Sequence, residues 1–378
     1  MKPRIDDIEI LRGVAVLMVV IHHAHDNLFT WASPNMSLFY TYFSGWVGVD
    51  LFFAISGFVI ARDLVPRLQA SPGGEPLLRL VLAFWVRRIW RLLPSAWLWL
   101  LVVLVASVAF NQSGVFGSFR TNLEATVAGV LQVSNVRFAE SFMNWPYGAS
   151  FVYWSLSLEE QFYLLFPLVI LLTRRYLFHT MILLVLAQFF LVRTPMMMMF
   201  RTDALALGVL LALWSRHSSY ELFKPVALGR FKLGIAIAAG ALLCMSVLGS
   251  DQLHNVSIKV GMIALLSAAL VWVASYDHGY LSIPRPFSSV LIWLGSRSYG
   301  IYLIHIPAFF FVREIWYRLR DKAELGPDFF GPLLLTATVL IVLLCELNYR
   351  LVEMPLRQRG KLIAERIQSE ALTFSERP

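Results

Sequence analysis

The chain has 378 residues, 58% of them hydrophobic and only 15% charged, with 32 Lys+Arg against 24 Asp+Glu and a formal net charge of +8. That balance excludes a disordered or collagen-like chain and leaves too few polar positions to cover two soluble domains. Apolar runs close to bilayer length recur from the first dozen residues to about residue 350, so the chain reads as an all-α, polytopic membrane helix bundle.

In chain order, about ten transmembrane helices are expected, at roughly 10–29, 39–60, 93–110, 155–173, 180–195, 197–215, 233–249, 257–275, 289–312 and 332–351. Asp6, Asp7 and Glu9 precede the first run and no small-residue cleavage site follows it, so it reads as a retained helix. At Pro195 two short halves meet, which fits either two spans or one re-entrant segment. Lys2, Arg4, Arg62, Arg67, Arg79, the Arg87/Arg88/Arg91 cluster, Arg174, Arg175 and Lys232 fall on one side of this pattern. Fewer basic residues fall on the other, an asymmetry that places both termini in the cytoplasm. Basic residues distributed in this way read as topology, and no nucleic acid is expected. The segment 111–153 has no strong period and reads as an outward loop that folds back over the membrane domain. Residues 1–355 form the expected membrane-embedded domain and 356–378 a short basic cytoplasmic tail. Cys244 and Cys345 both lie in apolar runs, which suits packing better than a disulfide or a metal site.

A charged side chain inside a spanning helix costs at least about 2.5 to 3.5 kcal/mol, so each one is a candidate functional residue. The first helix carries Arg12 and, toward its other end, His22, His23 and His25. Arg12 and His23 are about 20° from eclipsed and separated by about 16 Å of rise, so an elongated ligand would reach both. A bland reading has Arg12 snorkelling to the interface and the histidines at the boundary. Three close histidines lack cysteine or clear carboxylate partners, so no metal is expected. Asp50 and Ser56 sit among aromatics in the second span, where Asp50 needs an arginine or histidine partner. Arg88 and Arg91 share a helix face on which two guanidinium forks suit phosphates, with anionic lipid headgroups as the rival ligand. Trp154-Ser-Leu-Ser-Leu-Glu159-Glu160-Gln161-Phe-Tyr163 brings two carboxylates into the membrane near its outer face, with Ser155, Glu159 and Tyr163 on one side of the helix. Arg201 and Asp203 open the sixth span, and Ser298, Tyr302 and His305 form one stripe down the ninth, which reads first as an interior hydrogen-bond stripe.

Taken in order, these motifs resemble the acyltransferase 3 family, integral-membrane O-acyltransferases of bacterial surface polysaccharides and other exported glycans. The resemblance runs nearly end to end: Arg12 and His23 match its arginine, ten residues, histidine signature, and Gly48-Val-Asp50-Leu-Phe-Phe-Ala-Ile-Ser56-Gly57 matches its second-helix motif. Arg88 and Arg91 match its arginine pair, Trp154–Tyr163 its central signature, and Arg201-Thr-Asp203, Tyr302-Leu-Ile-His305 and Glu353-Met-Pro355-Leu-Arg357 its later motifs. One departure is that His22 adjoins His23, so two imidazoles stand at the motif position. The resemblance implies transfer of an acyl group, commonly acetyl, from cytoplasmic acyl-CoA to a hydroxyl of a glycan or glycolipid, in a multi-pass protein of the bacterial inner membrane. Arg12, Arg88 and Arg91 suit the donor's phosphates, and His23 suits a general base. Asp50, Glu159 or Glu160 would orient it, and Arg201 or a tyrosine hydroxyl would stabilise the oxyanion. Two other readings fit the same residues: a carrier for a lipid-linked sugar or acyl group, and an O-acyltransferase acting on a small natural product. Oligomeric state is not legible in the sequence.

Overall fold

The computed structural model describes residues 5–191, 193–230, 233–253, 258–281, 283–322 and 325–375. Lys2, Arg4 and Lys232, counted above for topology, and the last residues of the tail lie outside these. Among the described residues there are fifteen helices of eight residues or more and no β-strand. They are α1 (Asp6–Asn27), α2 (Pro34–Tyr42), α3 (Gly48–Ala70), α4 (Gly74–Ala109), α5 (Phe119–Val130), α6 (Ser134–Ser141), α7 (Tyr153–Thr173), α8 (Leu177–Phe190), α9 (Asp203–Trp214), α10 (Leu233–Leu248), α11 (Lys259–Ser275), α12 (Phe287–Ser296), α13 (Ser298–Leu319), α14 (Phe330–Asn348) and α15 (Met354–Ser375). Six stretches, Asp6–Asn27, Pro34–Ala70, Gly74–Ala109, Tyr153–Phe190, Pro195–Trp214 and Pro327–Ser369, are long and apolar enough to cross a membrane, and α10, α11 and α12 are shorter apolar helices. The chain is therefore a multi-pass membrane protein.

The expected spans are helical over most of their described length, with departures that have local causes. Helical geometry in α1 ends at His25 (ψ 136°) and Asp26 (φ 64°), short of residue 29. A single tight turn, Gly45–Val47, interrupts the second span before α3 begins. Instead of a long loop before residue 93, Gly73 (φ 94°) turns the chain directly from α3 into α4, a backbone angle that glycine tolerates. Arg87, Arg88 and Arg91, expected just ahead of the third span, consequently lie inside α4. The ninth span breaks at Arg297 between α12 and α13, and the segment read as an outward loop holds α5 and α6.

The described chain folds as two compact units, Met1–Asp63 with Phe178–Tyr302 and Leu325–Pro332, and Leu64–Leu177 with Leu303–Glu324 and Leu333–Pro378. In the first unit helices approach through small residues, the packing mode that works where lipid competes equally for apolar side chains. A Cβ on Gly13 would lie 2.3 Å from Leu291 O, and one on Gly295 would lie 2.0 Å from Glu9 O, so α1 and α12 touch backbone to backbone. Gly57 and Gly208 do the same for α3 and α9, against Leu205 O and Ala54 O.

The second unit is organised along α4. Trp99 Nε1 donates to Asn348 Oδ1 (3.2 Å), and the Asn348 amide donates to Ser95 Oγ (3.3 Å) and Glu353 Oε1 (2.7 Å), satisfying the polar groups where α14 passes into α15. Gly360 lets α15 close on Trp90, and the Arg79 guanidinium reaches Ile367 O (3.5 Å), so the C-terminal segment is a helix packed on α4. At the far end Glu314, fully buried, accepts from the backbone N–H of Gln112 (2.8 Å) and Ser113 (2.9 Å), from the Ser113 hydroxyl and from Arg318 Nε (2.7 Å).

Gly208→Val places a branched side chain where a Cβ alone would meet Ala54 O at 2.2 Å. It is expected to cost at least about 1 to 3 kcal/mol and to lower the yield of monodisperse protein in detergent. Gly240→Val, with nothing within 4 Å of its Cβ, is expected to elute like the wild type; equal yields for both variants would contradict the α3–α9 contact.

Candidate active site

In the first unit Asp50 and Arg201 form a buried ion pair, with a second pair, Arg193 and Asp203, beside it in the chain. Arg201 and Asp50 are 1% and 0% exposed, and the guanidinium binds the carboxylate through two parallel bonds, Nε to Oδ1 (2.9 Å) and NH2 to Oδ2 (3.1 Å). Arg201 NH1 donates to Met198 O (2.9 Å), and its guanidinium lies 5.2 Å from the centre of the Trp46 ring. Asp203 binds Arg193 NH2 through Oδ2 (2.6 Å), and Gln188 Oε1 accepts from the N–H groups of Thr202 (2.8 Å) and Asp203 (3.2 Å). This arrangement breaks the helix between Met199 and Asp203 and points Arg201 at the first turn of α3. The arginine required by Asp50 is thus Arg201.

The histidines occupy the end of α1 against the tight turn that precedes α3. A Cβ on Gly45 would lie 1.9 Å from Met18 O and 2.9 Å from His22 Cβ, so only a glycine lets this turn approach. Trp46, which lies under Arg201, donates from Nε1 to Gly249 O (3.1 Å). The His22 and His23 rings are 5.3 Å apart, and His22 Nδ1 is buried without a hydrogen-bond partner among the described residues. His25 instead pairs with Asp26 (2.9 Å) and packs on Tyr40 (4.5 Å). Arg12, farther down α1, contacts Glu9 at 3.5 Å. Ser56 is half-buried on α3 beside Gly57, and Tyr302, 5% exposed, lies 6.4 Å from the Phe52 ring. The hydroxyl of Ser298 is buried and finds no hydrogen-bond partner among the described residues.

The second unit corrects the expected depth of Glu159 and Glu160. Two rungs fix α7 against α4: the Tyr153 hydroxyl donates to Ala96 O (2.8 Å) and Trp85 Nε1 to Tyr163 O (3.3 Å). Between them lie Arg88 and Arg91 on one helix and Glu159 and Glu160 on the other. From Ala96 to Ala109, α4 rises roughly 20 Å beyond the start of α7, so the glutamates enter level with the arginines rather than near its far end. Arg91, Glu159 and Glu160 are the charged groups whose fields reach Arg88. Its guanidinium lies 5.1 Å from the Tyr163 ring centre and 5.6 Å from that of Phe84, and the Tyr163 hydroxyl donates to Glu159, as their spacing predicts. Ser157 accepts from Ser134 N–H (3.2 Å). His305, fully buried on α13, packs on Phe309 at 6.0 Å.

Sequence reasoning missed Arg193, Gln188, Trp46 and Glu314. No local pattern marks a glutamine or tryptophan whose partner is distant in the chain.

A helix bundle of this hydropathy, with buried ion pairs inside it, defines a polytopic membrane protein with an internal polar site. The chain belongs to the acyltransferase 3 family, whose model, described as an acyltransferase domain, matches residues 5–346. It is similar to YrhL of Bacillus subtilis, named as a candidate peptidoglycan O-acetyltransferase, at 30% identity over 93% of this chain and 54% of that protein. It is also similar to the peptidoglycan O-acetyltransferase OatA of Listeria monocytogenes, at 26% over 94% of this chain and 56% of that one. The O-acetyltransferase OatA of Staphylococcus aureus is 28% identical over 93% of this chain and 57% of its own length. The chain spans about half the length of these curated relatives. No solved structure matches it.

Arg201→Ala leaves the Asp50 carboxylate buried without its bidentate partner, which is expected to cost about 3 to 5 kcal/mol. Thermal unfolding in detergent reads the loss; an unfolding temperature equal to that of the wild type would contradict the pairing.

Proposed function

We propose that the protein transfers an acetyl group from acyl-CoA to a hydroxyl of a cell-envelope glycan, of the peptidoglycan class that the names of its relatives indicate. The observation that carries this reading is the family match over residues 5–346, joined to the presence of both family arginine signatures and the α1 imidazole at their positions. Arg88 and Arg91 hold the donor's phosphates, since paired guanidinium forks on one helix face match phosphate oxygens. Arg12 adds a third cation on α1. Glu159 and Glu160 neighbour Arg88, so they act on the donor side by holding the guanidiniums extended until phosphate replaces them.

His23 is the general base. It removes the proton from the acceptor hydroxyl as the oxygen attacks the thioester carbon, and the carbon–sulfur bond then breaks. The imidazolium passes that proton to the departing thiolate, which leaves as free coenzyme A, and the acetyl group stays on the glycan oxygen as an ester. Asp50 acts on this chemistry indirectly. With Arg201 it fixes the start of α3, and the turn before α3 leans on the histidine end of α1. The protein works in the bacterial inner membrane with both termini in the cytoplasm, where acyl-CoA is available.

The test uses purified protein in vesicles with labelled acetyl-CoA and glycan fragments. Label is expected on the glycan, and transfer of intact sugar or acyl carrier without new ester would identify a carrier instead. His23→Ala is expected to lower kcat by about 10² to 10⁴ with normal membrane insertion; near-normal kcat would move the base elsewhere. Arg88→Ala with Arg91→Ala is expected to raise the KM for acetyl-CoA about tenfold or more at an unchanged acceptor KM, and an unchanged donor KM would reassign the pair to lipid.

A further inference from the structure

The segment 111–153, an outward loop by sequence, contains a helix with three chemically distinct sides. One side of α5 packs inward: Asn122, Ala125, Ala128 and Gly129 are buried. Gly129 closes on Leu100 of α4, and Asn122 donates to Phe116 O (2.6 Å) and accepts from Ala149 N–H (3.0 Å). A second side is charged, with Arg120 Nε on Glu124 Oε1 (3.0 Å) and Arg137 NH2 on Glu124 Oε2 (3.2 Å). The third is an apolar stripe at steps of four, four and three: Phe119, Leu123, Val127 and Val130 are 47%, 41%, 50% and 42% exposed.

No helix surrounded by water keeps such a stripe open without a partner to cover it. The occupant follows from what flanks the stripe. On α4, a helix long and apolar enough to cross a membrane and against which α5 lies, Leu101, Val105 and Val108 are 56%, 55% and 68% exposed. Counted at 100° per residue, they point to one flank of Leu100, the residue that meets Gly129, while Trp99, Val103 and Ala106 on the other flank are buried. The apolar surface of α4 therefore continues toward α5, and the Arg120–Glu124 edge gives α5 the charged side that a helix lying in a bilayer interface turns toward headgroups.

We infer that α5 is seated in the bilayer interface, with Phe119, Leu123, Val127 and Val130 against lipid acyl chains. The seat has a consequence for the candidate active site. Just after α5, Gln132 O and Asn135 bind the Gln161 side chain (2.8 Å and 3.1 Å), and Ser134 N–H binds Ser157, so the residues that follow the lipid-held helix grip the turn carrying Glu159 and Glu160. Contact with lipid is independent of the acetyl-transfer reading and stands or falls separately from it.

The test is accessibility of nitroxide labels in vesicles of phosphatidylethanolamine and phosphatidylglycerol. Leu123→Cys and Val127→Cys are made singly in the full chain carrying Cys244→Ser; the remaining Cys345 is fully buried. Power saturation is expected to show both labels several-fold more accessible to oxygen than to a water-soluble nickel chelate, with the ratio reversed at Arg120→Cys. Equal or greater accessibility to the chelate at 123 and 127 would overturn the proposal in favour of an aqueous lobe. Exclusion of both reagents would overturn it in favour of a covering protein. Both positions are part-exposed, so a label at either one leaves the packed face of α5 untouched.

Discussion

Charge inside a bilayer has to find its opposite within the protein, and the bond between Asp50 and Arg201 shows how much structure that requirement organises. Either residue alone in a spanning helix costs at least about 2.5 to 3.5 kcal/mol, and together they form a closed, bidentate pair. To bring Arg201 to Asp50 the chain interrupts helical geometry before α9, where Met198 O and Trp46 complete the arginine's surroundings. The pair sets the first turn of α3, and the glycine turn ahead of it touches α1 at Met18 and His22. A charge pair well away from the imidazole in sequence thus holds the surface on which the imidazole-bearing helix rests.

The second unit meets the same requirement differently. Arg88 and Arg91 lie beside Glu159 and Glu160, and the part-buried Arg88 is covered by the aromatic rings of Phe84 and Tyr163. A closed bidentate pair suits a fixed strut, whereas arginines beside carboxylates and aromatic faces suit an exchange of partners with an anionic ligand. Under the proposed function, Asp50 and Arg201 position and Arg88 and Arg91 bind.

Much of the fold was legible because bilayer-length apolar runs admit few alternatives, and the Glu159–Tyr163 bond was legible because four residues span one helical turn. That Asp50 needed a partner followed from its apolar surroundings. That the partner is Arg201 did not, because the two lie 151 residues apart and no local period connects them. The early start of α4 was hidden by Arg79, Arg87, Arg88 and Arg91, whose charges cut the apolar run short although arginine is a good helix former and Gly73 supplies the turn. Once α4 begins at Gly74 the glutamates of α7 fall beside its arginines, a register no one-dimensional reading provides. The stripe on α5 was present in the spacing of Phe119, Leu123, Val127 and Val130, but the Ser, Asn and Gly residues before it obscured the period.

The central claim is that this membrane bundle makes an ester on an envelope glycan by means of the α1 imidazole. Mass spectrometry of cell-wall glycan from cells producing either the wild-type chain or His23→Ala, at matched membrane levels, tests it most directly. The account predicts O-acetyl groups on the glycan of the first and their loss from the second. Identical acetylation in both, or none in either, would contradict it.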